Sequence, residues 1–293
     1  MVSIHPIGGQ PRGDRFGSCR LCGDSPRSGL SATHVPMRAS GNDGKMRALV
    51  EEIHDEGSRI RLGRESDGGM WGYWFCEPCN NATGRWDETY LRWQVAMVNV
   101  VHDPAKAGSA RGWIGGDVSS LDPGGFARSV WSWAFARNEE LRDMVPDVAD
   151  AVRSGAPVDP PHSVHVMLAL TTSTRLFISR QVEATFLHFR LGDGSATAEP
   201  TPWTVIGAPP FNMAVVPHEH LDLLPLHVDI GPLLQIPAGA TIAEKLEVKF
   251  RVLDLEFLEG ITEPIRYSSL GGVRPQVDLF GEQIADGLAG RGG

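Results

Sequence analysis

The chain has 293 residues, 41% hydrophobic and 22% charged, proportions that exclude a fibrous or disordered protein and leave length for two cores. Its formal charge of −9 argues against a broad nucleic-acid-binding surface, but residues 1–95 hold 12 basic and 12 acidic side chains, so the whole acidic excess lies beyond them. All the basic residues of that first segment except Lys45 are arginines, which suit bidentate contacts to phosphate and allow a local phosphate-facing patch.

Apolar runs such as Val166–Leu170 fall far short of the ~20 residues that cross a bilayer. Met1–Arg15 has no apolar leader core, so a cytoplasmic protein with no membrane partner is expected. Pro6, Gly8, Gly9, Pro11, Gly13 and Gly17 mark a flexible arm over residues 1–17. Met46–His54 reads as a strand, although its spacing also suits a short helix. A turn at Glu56-Gly57, a strand-like run Arg59–Leu62 and a turn at Asp67-Gly68-Gly69 lead into a strand over Trp71–Phe75. From Arg85 to Val101, the spacing of Trp86, Tyr90, Trp93 and Met97 is helical.

Glycine and serine dominate Gly108–Ser120. Asp122-Pro123-Gly124 then starts a helix with Phe126, Val130, Trp133 and Phe135 on its apolar face, ending near Arg137–Asn138. A shorter helix covers Val145–Arg153 and stops at Ser154-Gly155-Ala156-Pro157. Beyond Pro160-Pro161 come short β-rich runs: Val164–Leu170, Arg175–Ile178, Ala184–Leu191, Thr204–Ile206, Met213–Val216 and Leu246–Leu255. In the last of these, Leu246, Val248, Phe250 and Val252 alternate with charged residues, and the phase slips at Val252-Leu253, which predicts a half-buried strand with a bulge. The tryptophans Trp71, Trp74, Trp86, Trp93, Trp131 and Trp133 are expected in the core, and would stack on bases only if exposed.

The strongest local signal is cysteine spacing. Cys19-Arg20-Leu21-Cys22-Gly23 and Cys76-Glu77-Pro78-Cys79-Asn80 are two CxxC turns, and the chain has no other cysteine. Two such turns complete a tetrahedral thiolate site, which is closed and therefore structural. Two disulfides would need an oxidising compartment, a redox CxxC normally stands alone in a βαβ setting, and an iron–sulfur cluster could use the same thiolates. One shared Zn2+ is the expectation, contributing directly to folding.

Between and after these turns stand Ser31, Thr33, His34, Val35, Pro36, Gly41, Asn42 and Asn80. The order CxxCG, His-Val-Pro, CxxCN and a helix resembles the four-cysteine HNH endonucleases. It is similar in particular to uncharacterised actinobacterial-type, and hence bacterial, HNH-like proteins with the run S-x-T-H-V-P, G-N, C-x-x-C-N. The resemblance covers about residues 18–92. It implies a ββα unit in which His34 activates water and Asn80 holds a catalytic Mg2+ or Mn2+ at the start of a helix. It further implies that Asn42 steadies the loop carrying the histidine, and that Arg85 contacts phosphate one turn further on. One position departs from the family: the residue before the histidine is usually Asp, Glu or His and helps to hold the metal, but here it is Thr33. Asp43 and Asp87 are the carboxylates that could substitute. The simpler roles are a backbone-bonded strand hydroxyl for Thr33, a turn former for Asn80 and a solvated helix residue for Arg85.

Toward the C-terminus, His218-Glu219-His220 followed by His227 has the look of half a cupin metal strand, without the second half that a cupin needs. The expected fold class is therefore α+β: a small zinc-stapled HNH-like ββα module with an inserted β-hairpin, then helices and a mostly antiparallel β domain. The expected division is an arm (1–17), a zinc-binding module (18–105), a helical connector (106–160), a β-rich domain (161–262) and a tail (263–293). The leading expectation for function is metal-dependent hydrolysis of DNA phosphodiester bonds. The alternative is a catalytically degenerate zinc module that binds nucleic acid or protein. The β-rich domain is expected to supply a protein partner surface or homo-oligomer contacts.

Overall fold

The computed structural model describes residues 3–5, 14–43, 46–54, 57–66, 68–101, 113–171, 177–180, 186–189, 196–199, 204–223, 227–240, 242, 246–253 and 276–280. Most of the expected arm and tail, and residues 108–112 of the Gly/Ser-rich connection, lie outside them. The architecture is α+β with antiparallel sheets. In chain order the strands and helices are β1 (Ser3–His5), β2 (Ser31–His34), β3 (Met46–His54), β4 (Gly57–Ser66), β5 (Trp71–Phe75), α1 (Glu77–Gly84) and α2 (Asp87–Val101). There follow β6 (Trp113–Asp117), α3 (Pro123–Arg137), α4 (Leu141–Met144) and α5 (Pro146–Ser154). The β-rich part contains β7 (Val164–Thr171), β8 (Phe177–Arg180), β9 (Phe186–Phe189), β10 (Ala196–Glu199), β11 (Thr204–Ala208), β12 (Phe211–Pro217), β13 (Val228–Asp229), β14 (Glu247–Leu253) and β15 (Gln276–Phe280).

An 11-stranded sheet runs in the order β1-β3-β15-β8-β11-β12-β7-β14-β6, with β4 paired to β3 and β13 to β7. The hairpin β3–β4, inserted between the two cysteine pairs, therefore belongs to this sheet, and β2 pairs with β5 in a separate small one. The pairings are antiparallel except for a short parallel stretch of β14 against β7. That stretch coincides with the phase slip in the sequence. Glu247–Arg251 pair with β6, while Val252 and Leu253 pair with Leu170 and Thr171 of β7, so the strand changes neighbour where its alternation shifts.

The core is organised around α3. Pro123 occupies its first turn and the Asp122 carboxylate accepts from Gly125 N at 2.9 Å, a side-chain cap that starts the helix. Every residue of α3 is buried, so the helix is enclosed on all sides rather than amphipathic. Enclosure requires its Arg128 to find partners. The guanidinium donates to the carbonyls of Gly124 (2.8 Å), Ile236 (2.8 Å), Leu234 (3.1 Å), Ala151 (3.2 Å) and Ala156, tying two loops to the helix.

Against α3 packs α2, whose Trp93 stacks on Phe126 with centroids 4.1 Å apart. Tyr90 lies between Trp133 (4.5 Å), Phe126 (5.9 Å) and Phe211 (5.8 Å), and its hydroxyl donates to Ala208 O at 3.1 Å. Of the tryptophans expected in the core, Trp74, Trp86, Trp93, Trp131 and Trp133 are buried and Trp71 is half-buried, so only Trp71 offers a ring to solvent. One continuous apolar cluster runs from Cys19 and Leu21 through α2 and α3 to β7, β12 and Phe250. Among the described residues, no helix is long and apolar enough to cross a membrane.

Candidate metal centre and the histidine strand

Two short turns and one strand pair assemble the cysteines. In the first turn, Gly23 N donates to Cys19 O at 2.8 Å and Cys19 N to Asp24 O at 2.8 Å. Gly23 adopts φ +83° and lies directly under the Arg142 guanidinium, so both the backbone and the space exclude a side chain there. Arg20 N donates to Trp74 O at 2.8 Å, which docks this turn on β5. The second turn follows β5 immediately and becomes the start of α1, with Cys76 as its N-terminal cap residue and Asn80 N bonded to Cys76 O at 2.9 Å. α1 has a sequence rich in weak helix formers, Glu-Pro-Cys-Asn-Asn-Ala-Thr-Gly, which is why helical spacing is readable only from Arg85.

The sulfurs of Cys19, Cys22, Cys76 and Cys79 all lie within 4.8 Å of one another, and none is in a disulfide. They are placed to hold one metal ion, a geometry compatible with structural zinc. Their thiols interact strongly with one another. A hydrogen bond from Cys79 pulls the Cys19 thiol down to about 4, whereas burial pushes Cys22 up to about 12, and the contact with Cys19 pushes Cys79 up. Negative charge on one thiol thus raises its neighbours, a competition that a cation at the shared centre would relieve.

Three arginines that no local signal in the sequence picks out surround the cluster. Arg20 donates to Ala136 O at 2.8 Å and pairs with Glu139 at 3.2 Å, which fastens the first turn to the C-terminal end of α3. Arg142 covers Gly23. Burial lowers the Arg153 guanidinium, but the negative charge of Cys79, Cys22 and Cys19, with Asp150, outweighs it and raises the group. Positive charge around a tetrathiolate site offsets its net negative charge.

β2 lies antiparallel to β5, pairing Thr33 with Gly72 and His34 with Trp71. Two positions singled out in the sequence meet here: Thr33 Oγ1 donates to Asn80 Oδ1 at 3.0 Å, joining the strand to α1. His34 Nε2 lies 3.2 Å from Gly68 O. Burial, with a smaller contribution from the Arg38 charge, lowers the His34 pKa and favours a neutral imidazole at pH 7. Successive side chains of a strand alternate between faces, so Thr33 and His34 leave β2 in different directions.

Asn42 is fully buried and clamps the segment after the histidine. Its Nδ2 donates to Pro36 O and to Met70 O (2.9 Å), and its Oδ1 accepts from Met70 N at 2.6 Å. Gly69, at φ +70°, packs against the Asn42 carbonyl so closely that a Cβ would collide with it. Gln94 of α2 extends the link: its Nε2 donates to Ser40 O at 3.3 Å and to Pro209 O at 2.7 Å.

Arg85 turns elsewhere. Its guanidinium bonds to Arg153 O at the end of α5 and lies 4.3 Å from the Trp86 ring centroid. Of the two carboxylates that could substitute at Thr33, Asp43 is exposed, and Asp87 has a carboxyl pushed up to about 7 by burial. Among the described residues, the cysteine quartet is the group of three or more His, Cys, Asp or Glu placed to hold a metal. Compared with protein-family models, curated proteins and solved structures, the chain finds no significant match in any of the three.

Proposed function

We propose that this chain is a zinc-stapled, HNH-like phosphodiesterase that cleaves nucleic acid, with DNA as the expected substrate. The gathering of His34, Thr33 and Asn80 on one β2–β5–α1 unit carries the proposal. The residue before the histidine and the asparagine of the following helix are the two positions that the family resemblance assigns to the catalytic metal, and here they touch. The clamp made by Asn42 supports it, since that residue steadies the loop following His34, as its counterpart in the family would. The β2–β5–α1 unit then corresponds to the family's ββα element, and the cysteines hold a structural Zn2+.

In this scheme His34, kept neutral by burial, accepts the proton of the attacking water. A Mg2+ or Mn2+ ion held at Asn80 Oδ1, once the Thr33 hydroxyl turns away from that oxygen, would supply Lewis acidity at the phosphoryl group. Asn42 keeps the histidine loop in place, and backbone amides at the start of α1 favour a phosphate oxygen. Arg85 reaches phosphate only by leaving Arg153 O and the Trp86 ring. The β-rich part would select the target, bind a protein partner or join copies of the chain.

A second function is favoured by a specific observation at the same place. Thr33 brings no charge, and its hydroxyl already engages the oxygen that Asn80 would give to a metal. That suits a non-catalytic zinc module that binds nucleic acid or protein. The zinc-loaded chain should be incubated with supercoiled plasmid and Mg2+ or Mn2+. Nicking is expected, with His34→Ala slowing it at least about 100-fold at unchanged zinc content. Thr33→Asp should accelerate it by restoring a hard anionic ligand. Absence of cleavage by both the parent chain and Thr33→Asp refutes catalysis, and a gel shift with the same DNA would then support the binding function.

A further inference from the structure

The histidines near the C-terminus combine differently from the half-cupin that their spacing suggests. His227 is buried, and its Nδ1 has no partner among the described residues. His218 instead meets His165, a residue 53 positions earlier on β7. Three chain segments converge on this point. β12 pairs with β7 so that Val216 faces His165, and His218 opens the 3-10 turn that follows β12. On its other side β7 pairs with β13, where Asp229 faces Met167.

The hydrogen bonds form one directed chain. Gly231 N donates to Asp229 Oδ1 at 2.7 Å, which orients the carboxylate. Asp229 Oδ2 lies 2.7 Å from His165 Nδ1, and His165 Nε2 lies 3.0 Å from His218 Nδ1. A carboxylate is an acceptor, so it fixes the proton of a neutral His165 on Nδ1 and leaves the Nε2 lone pair aimed at His218. This is the second-sphere arrangement by which proteins orient a metal-binding imidazole. The spacing fits as well. Two nitrogens bound to one ion at about 2.0–2.1 Å, with a near-tetrahedral angle between them, stand about 3.3 Å apart. His165 is nearly buried and therefore fixed, whereas His218 is exposed, so the ion would be open to solvent.

We infer that His165 and His218, with Asp229 behind His165, form a second metal site that takes a divalent transition ion of the Zn2+, Ni2+ or Cu2+ class. Imidazole donors favour these ions over Mg2+ or Ca2+. Two protein ligands leave the remaining positions to water or an external ligand, so the site is open, unlike the closed cysteine centre. An ion there staples the end of β12 to the β7–β13 pair. The site is independent of the nuclease proposal, since it uses none of the same residues.

Calorimetric titration of the full chain, already loaded with one zinc, with Zn2+ and separately with Ni2+ tests the assignment. One further binding event per chain is expected, abolished by His165→Ala and by His218→Ala. Asp229→Asn should weaken it roughly 10–100-fold, the usual effect of losing a second-sphere carboxylate. Circular dichroism establishes that each variant remains folded, and His218→Asn provides a milder change at the exposed position. No second event up to millimolar ion overturns the inference. So does a second event that survives in folded His218→Ala and His218→Asn, or one lost on His220→Ala while His218→Ala retains it.

Discussion

The cysteine corner and the aromatic core around α3 share one continuous apolar cluster, but they are held together by different means. At the corner, helix α1 has few good helix formers, and its start is determined by the second cysteine turn. Its order depends on polar groups: four sulfurs, the Arg20 bonds to α3, the Thr33–Asn80 contact and the Asn42 clamp. In the core, stability comes from area and shape, with Trp93, Trp133 and Phe211 linked through the rings of Tyr90 and Phe126. A corner built on specific ligands fails when one ligand is lost. A core built on packing loses stability in proportion to the volume removed.

The largest effect should come from the metal. Structural zinc sites contribute apparent free energies of about 10–16 kcal/mol in small domains, and α1 starts directly on the second cysteine turn. Cys76→Ser should lower zinc content and remove hydrogen-exchange protection from β2, β5 and α1, while β7 and β12 remain protected. A Cys76→Ser chain with an unchanged exchange pattern would show that the corner stands on packing alone.

Next comes Phe126→Ala, which empties the space between Trp93, Tyr90 and Phe211 and should cost about 3–5 kcal/mol. Because the cluster is continuous, this loss should lower the denaturant midpoint of both regions together. Separate transitions for the two regions would break the picture of a shared core.

Acid should act through the sheet region as well as through the cysteine ligands, which lose zinc as they take up protons. Burial holds His227 at about 4, below the 6.5 of an exposed imidazole. Between those values the unfolded chain binds a proton that the folded chain does not. Stability is therefore full above pH 6.5 and falls as the pH drops toward 4, by roughly 3 kcal/mol in total. His227→Leu should flatten this part of the pH–stability curve, and an unchanged slope would place the acid sensitivity elsewhere. The smallest effect is expected at Asn42. Asn42→Ala leaves Met70 N and the Pro36 carbonyl without their partner, at about 1–3 kcal/mol, and should loosen the loop after His34 without releasing zinc. Zinc loss in that variant would mean that the clamp and the metal corner are one unit.

The parts that were legible in the sequence are those written in local spacing. The two CxxC turns, the α3 start at Asp122-Pro123-Gly124, and β5 over Trp71–Phe75 all arise from residues next to one another in the chain. What was not legible depends on distant partners. β6 has the glycine-rich sequence Trp-Ile-Gly-Gly-Asp and is a strand through its pairing with β14. α1 is helical through the cysteine turn that starts it. His165 carries no motif, and its meaning comes from the register that places it between Asp229 and His218. The slip at Val252 was visible but ambiguous, because a bulge and a change of neighbouring strand leave the same trace in the pattern.

Gln94 has a mechanical consequence. Its carboxamide nitrogen joins Ser40, 54 residues earlier in the chain, to Pro209, 115 residues later, so one side chain bridges the loop after His34 and the turn joining β11 to β12. A bridge hydrogen-bonded to both couples their positions in either direction. A displacement of the histidine loop would therefore be felt at the far hairpin, and a displacement of that hairpin would be felt at the histidine loop.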